Sequence, residues 1–179
     1  MSKIVVLLGS PRKGGNTDLL VRRFVEGASL RNEVEVVSVT DYEVRPCLGC
    51  DACFGKAGNP CGQKDDMGLI YDKLSSADVL VVASPVYFYG ISAQLKAVID
   101  RLHNPVRDTF HIRRMALLLV GAATLPELFD AILAQYRLCL NFFGMEDAGK
   151  VLVRGVRGKG DISQRTDALD EAYALGASL

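Results

Sequence analysis

The chain has 179 residues, of which 49% are hydrophobic and 23% are charged, a composition that is typical of one globular domain and excludes a disordered chain. Its 21 basic and 21 acidic residues cancel, which argues against a nucleic-acid or membrane-surface binder. The longest apolar run begins at Met115 and is too short for a membrane span. No secretory leader is recognisable, so we expect a cytoplasmic protein.

Strand-like and helix-like patterns alternate from end to end. Uninterrupted aliphatic runs are typical of buried strands, and apolar residues at every third or fourth position are typical of helices. The predicted strands are Lys3 to Leu8, Glu33 to Val39, Val79 to Ala83, Arg114 to Val120 and Lys150 to Val153. The predicted helices are Asp18 to Leu30, Met67 to Leu74 capped by Asp66, Ala93 to His103 capped by Ser92, one opened by a capping box at Thr124 to Glu127 and ended by Gly144, and Ser163 to Leu175.

This alternation predicts an α/β fold. Five strands separated by helices favour a parallel sheet with right-handed crossovers. The expected architecture is a flavodoxin-like three-layer sandwich with strand order 2-1-3-4-5. We expect residues 1–179 to form a single domain with a cysteine-rich insertion at about 41–66, because a loop of that length in a compact domain is usually functional.

A glycine-rich turn joins the first strand to the first helix. The segment Gly9–Thr17 reads GSPRKGGNT, and a helix N-terminus with close-approaching backbone suits a phosphate group. Ser10 and Thr17 supply hydroxyl groups, Asn16 an amide and Arg12 a positive charge. The segment matches neither a Walker loop nor the dinucleotide fingerprint, and the alternative is a plain glycine-rich turn.

The turn after the third strand is unusually aromatic. It follows the carboxyl end of a central strand, where ligands bind in open α/β sheets. Tyr87, Phe88 and Tyr89 could flank a flat ring whose polar edge meets backbone amides, and Gly90 would let that ring approach closely. The alternative is that these aromatic side chains pack against the helix beneath them.

Four of the five cysteines are clustered with the spacing C-x2-C-x2-C-x7-C, at Cys47, Cys50, Cys53 and Cys61. In a reducing compartment such a cluster is typically metal-binding or catalytic rather than disulfide-bonded. The spacing favours a [4Fe–4S] cluster over zinc, whose structural sites usually use two separated pairs, and thiols without metal are a further alternative. Cys139 lies on an apolar helix stripe and is expected to be a core residue.

Other polar residues are given structural roles. His103 and His111 have no nucleophile near them in the sequence, so no cysteine–histidine catalytic arrangement is indicated. Asp100 and Arg101 are expected to form an ion pair at a helix end, and the run Arg154–Lys159 is expected to be a solvated loop. No acid–base catalyst is assigned.

Three segments together resemble the iron–sulfur flavoprotein family, a branch of the flavodoxin-like NAD(P)H-dependent FMN reductases: Gly9–Thr17, Pro46–Met67 and Ser84–Arg101. The resemblance implies non-covalent FMN and a homodimer or homotetramer with the flavin at a subunit interface. By position, it implies that the FMN phosphate is held by Ser10, Arg12, Asn16 and Thr17, that the isoalloxazine is bordered by Pro85, Val86, Tyr87, Phe88, Tyr89 and Gly90, and that the cluster is held by Cys47, Cys50, Cys53 and Cys61.

The leading hypothesis is therefore an FMN-dependent oxidoreductase that couples a [4Fe–4S] cluster to FMN, with a one-electron donor such as ferredoxin. The alternative is an NAD(P)H-dependent FMN or quinone reductase whose cysteine loop is structural or lacks a cluster. Since there is no separate dinucleotide fingerprint, the nicotinamide would then stack directly on the flavin. A third hypothesis is a redox or metal sensor, which bound FMN with turnover would argue against. None of the three involves nucleic acid or a membrane.

Overall fold

We describe the protein from a computed structural model that covers residues 1–179. Five strands and five α-helices alternate along the chain. The strands are β1 (Lys3–Leu8), β2 (Glu33–Ser38), β3 (Val79–Pro85), β4 (Arg114–Val120) and β5 (Glu146–Val153). The helices are α1 (Asn16–Ala28), α2 (Met67–Ser75), α3 (Ala93–Arg101), α4 (Asp130–Phe143) and α5 (Thr166–Ser178).

The five strands form one sheet in the order β2-β1-β3-β4-β5, and every neighbouring pair is parallel. This confirms the predicted flavodoxin-like α/β fold and its strand order. Because β1 lies between β2 and β3, the strand order reverses beside it. The loops that follow β1 and β3 therefore lie next to each other at the carboxyl edge of the sheet, where such folds bind ligands.

Helices cover both faces of the sheet and complete the three layers. One face packs against α1 and α5 through buried residues such as Phe24 and Ala172. The other face packs against α2, α3 and α4 through residues such as Leu74, Leu95 and Ile132. None of the helices combines the length and apolar character that crossing a membrane requires.

The start of α4 differs from the prediction, because the expected capping box does not form. The helix begins at Asp130, after an N-cap that makes no side-chain hydrogen bond. The Arg154 guanidinium instead donates to the carbonyl oxygens of Leu125 and Pro126, at 3.0 and 2.7 Å. These bonds hold the predicted first turn outside the helix. The helix ends at Gly144, which has a left-handed φ of +64° as its predicted role requires.

The starts of β5 and of the last helix also differ from the prediction. β5 begins at Glu146 rather than Lys150, because pairing with β4 extends the strand into a polar segment that carries no hydrophobic signal. The last helix begins at Thr166 rather than Ser163, because Asp161–Gln164 forms a separate 3-10 turn. Both differences leave the topology unchanged, and the 3-10 turn still places Ile162 in the core.

Of the two other predicted side-chain caps, at Ser92 and Asp66, one is correct. The Ser92 hydroxyl accepts a hydrogen bond from an amide in the first turn of α3. Asp66 does not cap α2: its carboxylate accepts from the Glu43 amide at 2.8 Å. The neighbouring Asp65 accepts from the Met67 amide at 3.3 Å. Asp66 therefore ties the end of the cysteine-rich segment to its beginning.

Candidate functional site

The glycine-rich turn after β1 leads directly into α1 and leaves several amides free. The amides of Asn16, Thr17 and Asp18 have no acceptor within the protein, and the N-cap, Gly15, offers no side chain. A Cβ on Gly15 would lie 2.8 Å from the carbonyl oxygen of Arg12, so a side chain there would displace the turn. Unpaired amides at the positive end of a helix dipole form an anion-binding site.

The predicted phosphate-binding residues all line one cleft beside this turn: Ser10, Arg12, Asn16 and Thr17. The Asn16 side chain, however, is already engaged. Its Nδ2 donates to the Gly158 carbonyl at 2.8 Å, and its Oδ1 accepts from the Ile162 amide at 3.2 Å. Asn16 thus joins α1 to the loop after β5, and its backbone amide is the group left available to an anion.

The loop after β5 contributes a basic residue to the cleft wall, and the sequence alone does not predict this position. Arg157 lines the same cleft as Arg12, and Lys159 lies beside the glycine-rich turn. The expected solvated loop Arg154–Lys159 is therefore part of the site wall. Its basic composition was the only signal in the sequence. Its position depends on the bonds to Asn16, which join residues 142 positions apart.

The aromatic turn after β3 is a tight and strained hairpin. Tyr87 and Gly90 exchange both backbone hydrogen bonds, at 2.9 and 3.0 Å. Between them, Phe88 and Tyr89 adopt positive φ values of 47° and 64°, the pattern of a type I′ turn that usually takes Asn and Gly. The Phe88 side chain is fully exposed, at 99%. Phe88 therefore does not pack against the helix beneath.

The cleft lies between the glycine-rich turn and the aromatic turn. Three of the six predicted ring-bordering residues form its wall, namely Pro85, Val86 and Tyr87. The other three lie beyond that wall, namely Phe88, Tyr89 and Gly90. The buried Ser84 hydroxyl donates to the Pro85 carbonyl at 2.8 Å and accepts from the Ser92 amide at 2.9 Å, which fixes where the chain leaves β3. A cleft with an anion site at one side and the aromatic ring of Tyr87 at the other suits a phosphorylated ligand with a flat ring.

A second cavity is lined by all four clustered cysteines, Cys47, Cys50, Cys53 and Cys61, which are free thiols. Its other wall comes from α2 and the end of α3, through Tyr71, Arg101 and His103. Four thiols around one cavity are the donor set of an iron–sulfur cluster. No three His, Cys, Asp or Glu side chains lie close enough together to hold a metal ion, so the four thiols line the cavity without converging on one point.

The surroundings of one of these thiols, Cys53, change its pKa. Burial raises the pKa of Cys53, and the neighbouring thiols Cys61, Cys47 and Cys50 raise it further through charge repulsion. The cavity therefore disfavours the thiolate form of Cys53. Cys139 does not line this cavity; it is half-buried, and it lines an apolar groove between α3 and α4.

A buried ion pair fixes the ends of the cysteine segment, and it is not the pair expected from the sequence. The Arg101 guanidinium lies 2.5 Å from the Asp65 carboxylate, and the two side chains are 3% and 1% exposed. The expected partner of Arg101, Asp100, instead pairs with Lys96 on the helix surface. Burial alone would raise the pKa of Asp65, but its hydrogen bonds to Arg101 and to backbone amides outweigh burial and lower that pKa.

The cleft and the thiol cavity are separate within one chain. No residue lines both, because the cleft lies at the carboxyl edge of the sheet and the cavity lies at the far end of α3. His103, to which sequence analysis assigned no role, lies at the cavity wall. Its ring centroid is 5.4 Å from that of Phe54 in the cysteine segment and 5.9 Å from that of Phe142 in α4. These aromatic contacts hold the cysteine segment against the helical layer.

A family model for NADPH-dependent FMN reductases matches residues 2–154, a range that includes the cleft turns and the whole cysteine segment. An iron–sulfur flavoprotein of Methanocaldococcus jannaschii is 42% identical over 112 residues, which cover 62% of this chain and 56% of that protein. The chain thus matches little more than half the length of that relative.

Two further similarities extend over nearly the entire chain. The Bacillus subtilis protein YwqN, named as an NAD(P)H-dependent FMN-containing oxidoreductase, is 29% identical over 181 residues, covering 97% of this chain and 96% of that protein. The solved NAD(P)H:quinone oxidoreductase from Methanothermobacter marburgensis has a TM-score of 0.78 at 18% identity, covering 99% of this chain and 96% of that one. At this identity, the structural match establishes a shared fold.

Proposed function

Because this chain belongs to the NADPH-dependent FMN reductase family, we propose that it is a flavin-dependent oxidoreductase and that FMN binds in the cleft between the two turns. The observation that carries this proposal is the pair of unpaired amides at the start of α1, those of Asn16 and Thr17, in a cleft whose other wall is Pro85 and Tyr87. Phosphate and ring would each find the environment that their chemistry requires.

Bound FMN would supply the redox chemistry, since it exchanges electrons singly or in pairs. The chain's own residues would bind and orient it. The amides of α1 and the Ser10 hydroxyl would hold the phosphate, and Arg12 and Arg157 would neutralise its charge. Tyr87 and its neighbours would cover the ring edge. No side chain is assigned to move a proton.

We propose further that the thiol cavity holds a [4Fe–4S] cluster, which exchanges one electron at a time with a donor such as ferredoxin. Two observations support this. The four cysteines line one cavity rather than separate surfaces, and thiolates are the ligands of such clusters. The resulting activity couples a one-electron carrier to two-electron chemistry at the flavin.

A second candidate function is an NAD(P)H-dependent FMN or quinone reductase that works without a cluster. It is favoured by the similarity to YwqN, which spans almost the full length of both chains. It also fits the open rim of the cleft, where Phe88 is fully exposed and a nicotinamide or quinone ring could reach the flavin.

One experiment separates these functions. The protein is purified anaerobically, and its visible spectrum, FMN, iron and sulfide are measured. Reduction of the flavin is then followed with reduced ferredoxin or with NAD(P)H. We expect FMN, about four iron atoms per chain and reduction by ferredoxin. FMN without iron, together with rapid reduction by NAD(P)H, would establish the second candidate. Absence of FMN would contradict both.

A further inference from the structure

The Arg101–Asp65 pair joins the two ends of the cysteine segment at one point. Asp65 accepts a hydrogen bond from the Arg45 amide at 3.0 Å, and Arg101 donates to the Arg45 carbonyl at 3.2 Å. Arg45 stands just before the first clustered cysteine, and Asp65 stands four residues after Cys61. A single guanidinium on α3 therefore holds both the entry and the exit of the segment that carries all four thiols.

The second half of the segment is held by the same helix region. Asn104 donates to the Asn59 carbonyl at 3.0 Å, two residues before Cys61. The Tyr71 hydroxyl of α2 donates to the Arg101 carbonyl at 2.7 Å, which fixes the helix end itself. These contacts bring Cys61 to the cavity wall despite the long spacing that separates it from the other three cysteines.

The ion pair is also oriented. Arg101 lines the thiol cavity, whereas Asp65 does not. Arg101 is moreover the only arginine or lysine in that wall. A buried ion pair does not by itself favour folding over an apolar replacement of similar size. Its placement, however, puts a buried positive charge in the wall of the cavity that four sulfur atoms line, together with the acidic residues Asp51 and Asp100. Those sulfur atoms become anionic when they bind iron.

On the basis of the cluster proposed above, we propose that Arg101 is a positioning residue for that cluster. Held by Asp65, it closes the cysteine segment so that Cys61 completes the ligand set. Its positive charge stabilises the anionic centre and, more strongly, the centre after it has gained one electron. Arg101 therefore raises the reduction potential, because added negative charge is better accommodated beside a buried cation.

The test compares Arg101→Gln, Arg101→Lys and Asp65→Asn with wild type, and uses Lys96→Gln as the control. Lys96 lies on the same helix in an exposed ion pair and does not line the cavity. The first readout uses metal-free protein: trypsin cleavage after Lys56, an exposed residue inside the segment. We expect several-fold faster cleavage in Arg101→Gln and Asp65→Asn, and the wild-type rate in Lys96→Gln.

The second readout is iron content and cluster midpoint potential after anaerobic reconstitution, with FMN content as the measure of folding. We expect less iron in Arg101→Gln and Asp65→Asn, with FMN retained. In the fraction that binds a cluster, the potential should fall in Arg101→Gln, stay near wild type in Arg101→Lys, and stay or rise in Asp65→Asn, where the cation has lost its counter-ion. If the only effect were a looser cysteine segment, the midpoint potential would shift in the same direction in Arg101→Gln and Asp65→Asn.

Distinct outcomes overturn distinct statements. Wild-type cleavage and iron content in both Arg101→Gln and Asp65→Asn would overturn the positioning role. Potentials that shift the same way in both would overturn the electrostatic role. If wild type itself takes up no iron, the proposed cluster is wrong, and cleavage after Lys56 still decides whether the pair closes the segment. Loss of FMN from Arg101→Gln would mean that this variant is misfolded. The cleavage rate, iron content and potential of Asp65→Asn and Arg101→Lys would then decide between these outcomes.

Discussion

At the scale of single residues, charge at the cleft comes from two different loops. Arg12 belongs to the glycine-rich turn, and Arg157 reaches the same cleft from the loop after β5. Hydrogen bonds to charged groups contribute about 1.5–3 kcal/mol. Each guanidinium should therefore contribute measurably to phosphate binding, and its replacement by an acidic group should also add repulsion.

We predict that Arg12→Glu lowers FMN affinity by about 10- to 100-fold, since about 1.4 kcal/mol corresponds to tenfold. The fold should remain intact because Arg12 is exposed. Fluorescence titration with FMN measures the effect, and Arg31→Glu, an exposed residue outside the cleft, is the control with the same charge change. Equal affinity in the two variants would contradict the phosphate assignment.

The thiol cavity makes a prediction about single cysteines. Cys50→Ala removes one of four cavity thiols and should lower iron content while FMN stays bound on its own turns. Cys139→Ala is the matched control, because Cys139 lies in the groove between α3 and α4 and should not affect iron. Iron lost from the Cys139 variant, or fully kept in the Cys50 variant, would show that the ligand set is different.

The lowered pKa of Asp65 predicts how acid acts on the fold. Its ion pair stabilises the protein fully above the ordinary aspartate pKa of about 3.9. That stabilisation is lost as pH falls through the lower pKa of the folded state. Urea unfolding should therefore show Asp65→Asn destabilised by a constant amount from about pH 7 to 5, with the gap closing below about pH 4. A gap that already narrows near neutral pH would assign the effect to another group.

At the scale of whole elements, α1 and α5 touch backbone to backbone. A Cβ on Gly27 would lie 2.1 Å from the Tyr173 carbonyl oxygen, and one on Gly176 would lie 2.2 Å from the Phe24 carbonyl oxygen. Neither helix can carry a side chain at its contact point. The close approach matters for the site, because α1 presents its N-terminal amides to the cleft and its position depends on α5.

We predict that Gly27→Ala destabilises the protein by about 1–3 kcal/mol, because the new methyl group must push two backbones apart. Gly68→Ala is the matched control: Gly68 also lies in a helix, but a Cβ there meets nothing within 4 Å. That change should stabilise by about 0.4–1 kcal/mol, since alanine loses less entropy on folding. Thermal unfolding measures both. Equal shifts would mean that the helices are not in the close contact described.

At the scale of the whole molecule, the cleft and the thiol cavity share no wall residue. Electrons would therefore pass more directly between the FMN of one subunit and the cluster of another, if the second subunit's thiol cavity lies near the first subunit's cleft. Exposed aromatic area at Tyr87, Phe88 and Tyr89 suits such a contact. We therefore predict a homo-oligomer in which the cysteine segment or the aromatic turn lies at the interface.

Subunit mixing tests this prediction. At an FMN concentration that saturates only wild type, Arg12→Glu chains should be largely free of FMN, and Cys50→Ala chains should be depleted of the cluster. Each variant alone should therefore pass electrons from ferredoxin to FMN poorly. Mixed oligomers should recover part of the activity if the path crosses between subunits. Sedimentation of the FMN-loaded protein accompanies the assay. A monomer at micromolar concentration that still transfers electrons, or mixtures that stay inactive while forming oligomers, would place the path within one chain.

The sequence by itself determined the elements whose signal is local. Aliphatic runs and one alternating segment predicted the five strands, Gly144 ended α4, and Ser92 capped α3. The alternation of strands with helices predicted the flavodoxin-like fold and, with it, the strand order. Three contiguous segments carried the resemblance to iron–sulfur flavoproteins, which similarity to proteins of that name confirms. Short-range patterns of this kind survive in any fold because they depend on neighbours in the chain.

Tertiary structure decided every feature that depends on partners far apart in the chain. Arg101 pairs with Asp65 rather than Asp100. A buried charge without a partner costs much more free energy than an exposed one, so the two buried side chains pair with each other. Arg154 donates to a carbonyl 28 residues earlier in the chain and so keeps the segment before α4 out of the helix. Asn16 binds the loop that contains Arg157 and places it at the cleft. Hydrogen bonds and ion pairs across the fold leave no periodicity in a sequence. For that reason the separation of cleft and thiol cavity became visible only once the chain was folded.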